Sequence, residues 1–343
     1  MKFPKLVALV LSIVMVLAVM AGCGAPAEES KDATITLTDH AGREVTLEGA
    51  AQAICGTHNP SLNMAIVLDG GMDRFVGFGN KDMAYGLYEI VAPEIDELTQ
   101  IGKGKNVNFE TVASVKADLA LLPVRMKGMV EQYEEVGPKV ILLDVELFDS
   151  IKSALTLVGK AIGQDERAAK IVAFFDQKIA DATKVAEDAE TKPTVLMLSG
   201  SSMTGVATDA MLQNQIIKTA GGKSVTEGWD SDELWAEVNI EQIVKWNPEI
   251  IYIPAYADYT VEDLKANEAW ASIDAVKNDK IFVFPSALEP WDYPTASACL
   301  GLCWTTYNLH PELYSLDQLM KDVDEFYNLV YGQTFTAEQL GLK

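Results

Sequence analysis

Two stretches of this chain, 131 residues apart, have nearly the same pattern of residues. Residues 108–123 read NFETVASVKADLALLP, and residues 239–254 read NIEQIVKWNPEIIYIP. Each opens with Asn-x-Glu before a short amphipathic segment, continues with an acidic residue and an apolar run, and ends in proline. A helix-and-strand unit that recurs at this distance predicts a fold built from two copies of one structure.

The elements around the repeat follow the same order in both halves. Strands are predicted at residues 53–57, 75–78, 118–122 and 139–144 in the first half, and at 194–199, 249–253 and 280–284 in the second. Helical segments lie between them, and a hairpin is predicted at residues 35–47. Apolar strands that alternate with helices form mainly parallel sheets covered on both faces. The predicted fold class is therefore α/β, with two Rossmann-like lobes.

One long helix is predicted between the two halves. Residues 165–189 contain neither glycine nor proline, and their apolar positions recur at helical spacing. About 25 residues at 1.5 Å each give a rod of roughly 37 Å. This predicts an N-terminal lobe over residues 34–163, a backbone helix over 164–190 and a C-terminal lobe over 191–343. A rod that packs on both lobes restricts them to small hinge motions, with a ligand cleft between them.

The N-terminus has the pattern of an export signal. Two lysines precede an apolar run over residues 6–20, which is short for a membrane-spanning helix and typical of a signal peptide. The run ends in AGC, which resembles the cleavage site of bacterial lipoproteins. This predicts a lipoprotein signal peptide over residues 1–22, a lipidated Cys23 and a polar tether over residues 23–33, which would anchor the protein outside the cytoplasm. An ordinary secretory signal is the alternative.

The charge balance excludes one class of partner. The chain has 27 basic and 50 acidic residues, a formal net charge of −23, and two of its lysines belong to the predicted signal peptide. Such an acidic protein is repelled by nucleic acid and by anionic lipid. We therefore expect no nucleic-acid partner and membrane contact only through the lipid.

The remaining cysteines indicate neither a disulfide framework nor a metal site. Cys55, Cys299 and Cys303 are an odd number, and the last two have no further metal-ligating residues nearby in the sequence. Buried cysteines commonly serve as small apolar residues, and we expect that role here.

Ligands of open α/β sheets bind beyond the carboxyl ends of the strands. The candidate ligand-binding residues, read from those positions in both halves, are His58, Asn59, Tyr85, Arg125, Met126, Ser201, Ser202, Tyr256, Trp291 and Tyr293. Glu289 lies in the same group of positions. We expect these residues to face each other across the cleft.

Four of these candidates have specific chemistry. His58 is either an axial ligand to haem or cobalt, a hydrogen-bond donor to an anion, or a structural residue at a strand end. Arg125 offers five fixed donors suited to a carboxylate or an oxyanion, and a solvated surface arginine is the alternative. Trp291, together with Tyr293, is a candidate apolar wall for a large planar ligand, with core packing as the alternative.

An enzyme is the competing class of function, and the sequence supplies few of its motifs. It contains no Gly-x-Ser-x-Gly elbow, no phosphate-binding Gly-x4-Gly-Lys-Ser/Thr loop and no His-Glu-x-x-His helix. Bare Zn²⁺ or Mn²⁺ capture needs several converging His and carboxylate ligands, and the chain has only three histidines. We expect a binding protein with neither a catalytic site nor a site for free metal ions.

Five segments together resemble one family. They are ITLTDHAGREVTL, the two repeats, WASIDAVKNDKIFVFPS and WTTYNLHPELYSLDQLMKDVDEFYNLVYG, in this order along the chain. They resemble the helical-backbone solute-binding proteins of bacterial ABC importers. The resemblance implies two α/β lobes joined by one helix, and a ligand such as a ferric siderophore, haem, cobalamin or an oxyanion. An iron siderophore or related metal chelate is the leading class, with molybdate or tungstate and haem or a corrinoid as alternatives.

The resemblance also implies a reason for the repeat. In family members that bind cobalamin and siderophores, one glutamate of each lobe docks with arginines of the permease, and Glu110 and Glu241 stand at the matching positions. It further implies a monomer that works with a permease and an ATPase. A lipoprotein that senses a ligand for a signalling partner is the alternative. A glutamate in the first turn of a helix also has a simpler role, since it is favourable to the helix dipole.

Overall fold

A computed structural model describes residues 34–81, 85–229, 231 and 233–342. The predicted signal peptide, Cys23 and the tether lie outside the described residues. Within them, no helix is both long and apolar enough to cross a membrane.

The N-terminal lobe is a parallel sheet flanked by helices. Its strands are β1 (Ile35–Thr38), β2 (Glu44–Leu47), β3 (Ile54–Gly56), β4 (Phe75–Phe78), β5 (Thr99–Gln100), β6 (Gly102–Lys103), β7 (Asn106–Val107), β8 (Leu119–Pro123) and β9 (Lys139–Leu143). Its helices are α1 (Asn59–Asp69), α2 (Tyr85–Val91), α3 (Phe109–Val115), α4 (Val130–Glu135) and α5 (Phe148–Ile162). The main sheet has the order β5-β4-β3-β8-β9, and all its pairings are parallel.

The C-terminal lobe has a second parallel sheet. Its strands are β10 (Thr194–Met197), β11 (Gly205–Ala207), β12 (Lys223–Ser224), β13 (Trp235–Glu237), β14 (Ile250–Pro254) and β15 (Ile281–Phe284). Its helices are α7 (Leu212–Thr219), α8 (Ile240–Trp246), α9 (Val261–Ala266), α10 (Asp274–Lys277), α11 (Ala298–Leu309) and α12 (Leu316–Tyr331). The main sheet has the order β12-β10-β14-β15. The two sheets confirm the predicted α/β fold class.

The repeated sequence forms the same local structure in both lobes. Asn108 begins α3 by accepting a hydrogen bond from the N–H of Thr111 at 3.1 Å, and Asn239 begins α8 by accepting one from Gln242 at 2.9 Å. The helices end at Lys116 and Asn247, which both have positive φ. Strands β8 and β14 then follow, five residues each and buried throughout.

The acidic residue that opens each apolar run attaches it to the neighbouring strand. The Asp118 carboxylate accepts hydrogen bonds from the N–H groups of Gln52 and Ala53, at 2.8 and 3.0 Å, just before β3. The Glu249 carboxylate accepts one from the N–H of Thr194 at the start of β10, at 2.8 Å. Each acid therefore holds the two adjacent strands of its sheet in register, which is why both repeats contain one.

The backbone helix α6 (Asp165–Asp188) joins the lobes. Its side chains Lys178 and Arg167 attach it at two places. Lys178 is buried and pairs with the buried Asp322 of α12 at 2.8 Å. Arg167 donates to the carbonyl oxygens of Val67 and Val330, at 3.1 and 2.6 Å. Among the described residues, no strand of one lobe pairs with a strand of the other.

The lobes share one buried core. A single cluster of apolar side chains runs from α1 and α5 of the N-terminal lobe, past α6, to α11 and α12 of the C-terminal lobe. Hydrogen bonds also join the lobes, among them Leu87 N–H to Leu288 O at 3.0 Å and Ala296 N–H to Asn63 Oδ1 at 3.0 Å. A densely packed junction of this kind resists wide opening of the lobes.

Candidate functional site

A cleft of about 720 Å³ lies between the lobes, at the carboxyl ends of their parallel strands. The N-terminal wall consists of His58, Asn59, Pro60, Asn80, Arg125 and Glu146. The C-terminal wall consists of Met211, Leu212, Gln213, Leu234, Trp235, Tyr256, Tyr293 and Pro294. The volume is in the range of small-molecule binding sites.

His58 immediately precedes α1 and lies at the base of the N-terminal wall. Its Nε2 is 2.8 Å from Nη2 of Arg125, and its Nδ1 is 2.8 Å from Oγ of Ser61. A guanidinium only donates, so Nε2 accepts and the proton of the ring is on Nδ1, which donates to Ser61. Burial, and then the neighbouring guanidinium, lower the pKa of His58 to about 3. His58 is therefore neutral, and both its nitrogens are engaged.

Arg125 is the cation among the described residues that line the cleft. It follows β8 in a 3₁₀ turn (Val124–Met129), and its side chain is 54% exposed. Its Nη1 is 3.2 Å from Oε1 of Glu146, which follows β9. Burial raises the pKa of Glu146, while the Arg125 charge acts in the opposite direction. A half-exposed ion pair of this kind is weak, so Arg125 is available to a ligand that replaces Glu146.

One helix from each lobe begins at the cleft. Helix α1 starts at Asn59, and α7 starts at Leu212 on the opposite wall. The residues before them, His58 and Met211, make no side-chain capping hydrogen bond to either helix. The first-turn N–H groups and the positive end of each helix dipole favour a negative ligand.

The C-terminal wall is aromatic and uncharged among its described residues. The rings of Tyr256 and Tyr293 meet edge to face, with centroids 5.1 Å apart. The Tyr256 hydroxyl donates to Oδ2 of Asp292 at 2.8 Å. Gln213 in the first turn of α7 donates to the main-chain oxygen of Asp292 at 3.0 Å. Asp292 is fully buried behind the wall, and this burial raises its pKa to about 6.

The structure brings five of the predicted ligand-binding residues to the cleft. They are His58, Asn59, Arg125, Tyr256 and Tyr293. The main chain of Tyr85 begins α2, and its side chain lies outside what the structure describes.

Trp291 and Met126 correct the sequence-based interpretation, because both are core residues. Trp291 is fully buried, and its indole N–H donates to the hydroxyl of Tyr327 at 3.0 Å, which in turn donates to Glu289 at 2.9 Å. Met126 points into the core of the N-terminal lobe and is 4% exposed. Residues close together in one loop point in different directions, so Arg125 and Tyr293 reach the cleft whereas Met126 and Trp291 do not.

Ser201 and Ser202 are not among the residues that line the cleft. Ser202 instead forms hydrogen bonds with Thr204, just before β11, and with Glu237 of β13. The reason is an insertion. In the N-terminal lobe α1 directly follows β3, but in the C-terminal lobe the chain forms β11 before α7 begins. The counterparts of His58 and Asn59 are therefore the residues around Met211, not the two serines.

Several wall residues were missed by the search at strand ends. Trp235 reaches the cleft on β13, which pairs antiparallel with β11, and neither strand was predicted. Glu146 follows β9, so it also lies beyond the carboxyl end of a strand, where ligand-binding residues are expected. Met211 and Gln213 belong to the start of α7, and the duplication itself would have identified them as the counterparts of the α1 start.

No metal site is found among the described residues. No three His, Cys, Asp or Glu side chains converge there to hold an ion. Cys55, Cys299 and Cys303 are free and buried, and burial raises the pKa of each thiol. The structure thus uses these cysteines as apolar core residues.

The predicted docking residues lie apart from the cleft. Glu110 and Glu241 are the second residues of α3 and α8, and both side chains are exposed. Their helices are the repeated elements described above, so the two carboxylates occupy equivalent positions in the two lobes.

Residues 61–288 match the family described as periplasmic binding protein. The chain belongs to this family. The match includes most of both lobes and the whole of the backbone helix.

Relatives across the family have low sequence identity but similar length. The molybdate-binding protein MolA of Haemophilus influenzae is 22% identical over 335 residues, which cover 90% of this chain and 91% of MolA. The Fe(3+)-citrate-binding protein YfmC of Bacillus subtilis is 24% identical over 296 residues, covering 81% and 89% of the two chains. These relatives are binding proteins and not enzymes, as predicted for this chain.

The fold is also similar to a solved structure. A periplasmic solute binding protein from Veillonella parvula superposes with a TM-score of 0.79 at 22% identity, over 90% of this chain and 95% of that one.

Proposed function

We propose that this protein is the extracytoplasmic substrate-binding component of an ABC importer, and that it captures an anionic iron chelate, such as a ferric siderophore or ferric citrate, in the interlobe cleft. The observation that carries the proposal is the convergence of Arg125 and the starts of α1 and α7 on one cleft. Membership of the periplasmic binding protein family supports the binding role.

The charge of the ligand follows from what the cleft provides. Arg125 has a full positive charge, and the two helix ends each add a partial positive charge. Glu146 is the acidic residue among the described wall residues, and its contact with Arg125 at 3.2 Å is partly exposed. A carboxylate or oxyanion of the ligand would take the place of Glu146 on the guanidinium, with hydrogen bonds of about 1.5–3 kcal/mol each.

The size of the ligand follows from the volume of the cleft. A tetrahedral oxyanion occupies on the order of 100 Å³, if each oxygen is given roughly the 30 Å³ of a liquid water. The cleft of about 720 Å³ is several times larger. Its edge-to-face tyrosines and Trp235 provide aromatic surface that a bare oxyanion does not need. A chelate with an apolar or carbon-rich periphery uses both features.

A molybdate- or tungstate-type oxyanion is the second candidate. The paired helix starts at Asn59 and Leu212 favour it, because N–H groups from two sides suit a small dianion. MolA, a molybdate-binding protein, is among the relatives of similar length.

Haem and corrinoids are less well supported by the same geometry. An axial bond from His58 would require Nε2 to leave Arg125, and it would place a metal cation next to a guanidinium. To serve as the axial ligand instead, Tyr256 would have to transfer its hydroxyl proton and lose its hydrogen bond to Asp292.

Docking on a permease is proposed for Glu110 and Glu241. They are exposed, equivalent by the internal duplication and outside the set of cleft residues, as a permease contact from each lobe requires. Exposed pairs contribute only about 0–1 kcal/mol each, so they would provide steering and register. Lipidation of Cys23 would hold the protein at the membrane, and a monomer has the one cleft that such a complex needs. A sensor for a signalling partner is the alternative, and a neighbouring permease gene would argue against it.

The test is a calorimetric titration of the mature protein with a panel of ligands. The panel contains ferric citrate, ferric siderophores, molybdate, tungstate, haem and cobalamin. We expect an anionic chelate to bind and to stabilise the fold by about 2.7 kcal/mol at 100 times its Kd. Arg125→Ala should abolish this stabilisation, whereas Arg43→Ala, outside the cleft, should not. Binding of only neutral or cationic ligands, unaffected by Arg125→Ala, would overturn the proposal.

A further inference from the structure

Tyr256 connects the cleft to a buried acid. Its side chain lines the C-terminal wall, and its hydroxyl donates to Oδ2 of Asp292 at 2.8 Å. Asp292 itself is 0% exposed and lies directly behind the wall, one residue before Tyr293. The phenol therefore stands between a ligand in the cleft and a carboxyl group that the ligand does not touch.

The described surroundings of Asp292 contain no cation paired with it. From α7 it faces the neutral Gln213, and from the loop after β14 it faces Tyr256. Glu289, earlier in its own loop, is turned toward Tyr327. None of the ion pairs between described residues includes Asp292.

Among the described residues, the charged and titratable side chains across the cleft are His58, Arg125 and Glu146. His58 is neutral because burial, and then the neighbouring guanidinium, lower its pKa. Desolvation raises the pKa of Asp292 to about 6, with its bonds to Tyr256 and Gln213 acting in the opposite direction. A buried acid with such neighbours changes its charge close to neutral pH.

The protonation of Asp292 changes what Tyr256 offers to the cleft. While Asp292 is ionised, the phenolic proton is committed to it, and the Tyr256 oxygen meets a ligand only as an acceptor. Once Asp292 takes up a proton from solvent, its O–H donates to the Tyr256 oxygen. The phenolic proton then turns away from Asp292 and becomes a donor for the ligand.

We propose that Asp292 acts as a positioning residue that sets the hydrogen-bond polarity of Tyr256, and that an anionic ligand binds with uptake of one proton by Asp292. The second part depends on the anionic ligand proposed above. Proton uptake is expected because an anion gains the Tyr256 donor when Asp292 is protonated and is repelled when Asp292 is ionised.

The first test needs no ligand. The tyrosine Fermi doublet in the Raman spectrum distinguishes a phenol that donates a hydrogen bond from one that accepts, and subtraction of the Tyr256→Phe spectrum isolates Tyr256. Between about pH 8 and about pH 5, a range that spans the raised pKa of Asp292 of about 6, we expect the doublet to change from donor-like to acceptor-like. Asp292→Asn, which resembles the protonated acid, should show no such change. A doublet that does not change in the native protein overturns the proposal, whatever the ligand is.

The second test measures binding of molybdate and of ferric citrate over the same range. One coupled proton makes affinity fall by up to about tenfold for each pH unit above the pKa of Asp292. Titration in buffers with different ionisation enthalpies should show proton uptake of about one per bound ligand, in accordance with the same linkage. In Asp292→Asn both the pH dependence and the proton uptake should disappear.

Two matched variants separate Asp292 from other titrating groups. Glu289→Gln removes a buried acid of the same loop that does not line the cleft, and it should leave the pH dependence intact. Glu146→Gln tests whether release of Arg125 causes the effect instead. If the dependence persists in Asp292→Asn, or disappears in Glu146→Gln alone, the proposal is wrong although anion binding stands. If neither probe binds, the proposed ligand class fails, and the Raman measurement still decides the role of Asp292.

Discussion

On their outer faces the two lobes are alike, and inside the cleft they differ. Helices α3 and α8 have the same asparagine start, the same left-handed end and an exposed glutamate at the same position. The cleft wall of the N-terminal lobe contains Arg125 and Glu146, whereas the described wall of the C-terminal lobe is aromatic and amide. The duplicated structure thus gives each lobe an equivalent exposed glutamate. The divergent loops give the cleft one charged side and one aromatic side.

The lobes also differ in how the backbone helix is attached to them, and this difference predicts the largest effect. Lys178 and Asp322, both buried, fix the helix to the C-terminal lobe. Replacement of Lys178 by Met leaves the Asp322 charge buried without its partner, so the free energy of unfolding should fall by about 3–5 kcal/mol. Urea denaturation measures this. Lys184→Met, in the exposed pair with Asp188, is the control and should leave the denaturation midpoint nearly unchanged. Equal losses in both variants would contradict the assignment.

The next largest effect concerns the charged wall. Arg125→Ala would remove two charged hydrogen bonds to the proposed anion, so affinity should fall by roughly a hundredfold or more, about 3 kcal/mol. Arg125→Lys keeps the charge without the planar fork and should be intermediate. Because Arg125 is exposed, the unfolding free energy of both variants should stay near that of the native protein. A native affinity in Arg125→Ala would show that the charged wall does not define the ligand.

A buried acid at the lobe junction predicts a pH dependence of stability. Burial raises the pKa of Glu289 to about 7, while its bonds to Tyr327 and Ser297 lower it. In the unfolded chain a glutamate titrates near about 4.3, so between these values the folded state holds the proton and stability falls as pH rises. Glu289→Gln should therefore stabilise the protein by about 2 kcal/mol above about pH 7 and flatten the slope. Thermal unfolding over a pH series measures it, and an unchanged slope would contradict the prediction.

The aromatic wall should discriminate between the two ligand classes. Trp235→Ala removes apolar area from the cleft and should weaken a carbon-rich chelate by about tenfold, roughly 1–2 kcal/mol. The affinity for molybdate should hardly change, because a bare oxyanion has little apolar surface that could contact an indole ring. Trp229→Ala is the control, since that ring packs on Trp246 and does not line the cleft. An equal loss for both ligands would favour a general structural role for Trp235.

The smallest effect on affinity is expected at the duplicated surface. Glu110→Arg and Glu241→Arg should each change the binding free energy of the ligand by less than about 0.5 kcal/mol, because exposed charges outside the cleft interact weakly with a ligand inside it. Transport in cells should fall in both single variants and stop in the double variant. A large loss in one variant and none in the other would show that the two lobes do not dock as equivalents.

Much of the fold followed from the sequence because the strands are apolar runs with distinct ends. The predicted strand at residues 75–78 coincides with β4, and the backbone helix predicted over residues 164–190 is one residue longer at its start and two residues longer at its end than Asp165–Asp188. The antiparallel pairs β6–β7 and β11–β13 were not predicted, because strands of two or three residues such as Gly102–Lys103 are too short to show a periodic pattern.

The site was less predictable than the fold. Arg125 and Tyr293 could be found because a strand-end rule places them at the cleft. That rule cannot tell which residues of a loop point toward the cleft, so it selected Trp291 as well as Tyr293. It also could not place α7, because the insertion that forms β11 displaces the helix start from Ser201 to Leu212.

The single core that continues through both lobes has a consequence for how occupancy is detected. Because this core is densely packed across the junction of the lobes, we expect ligand binding to change the overall conformation of the protein only slightly. A membrane partner that rejects empty carriers must then sense something more local than shape, such as the rim of the cleft or the cargo itself.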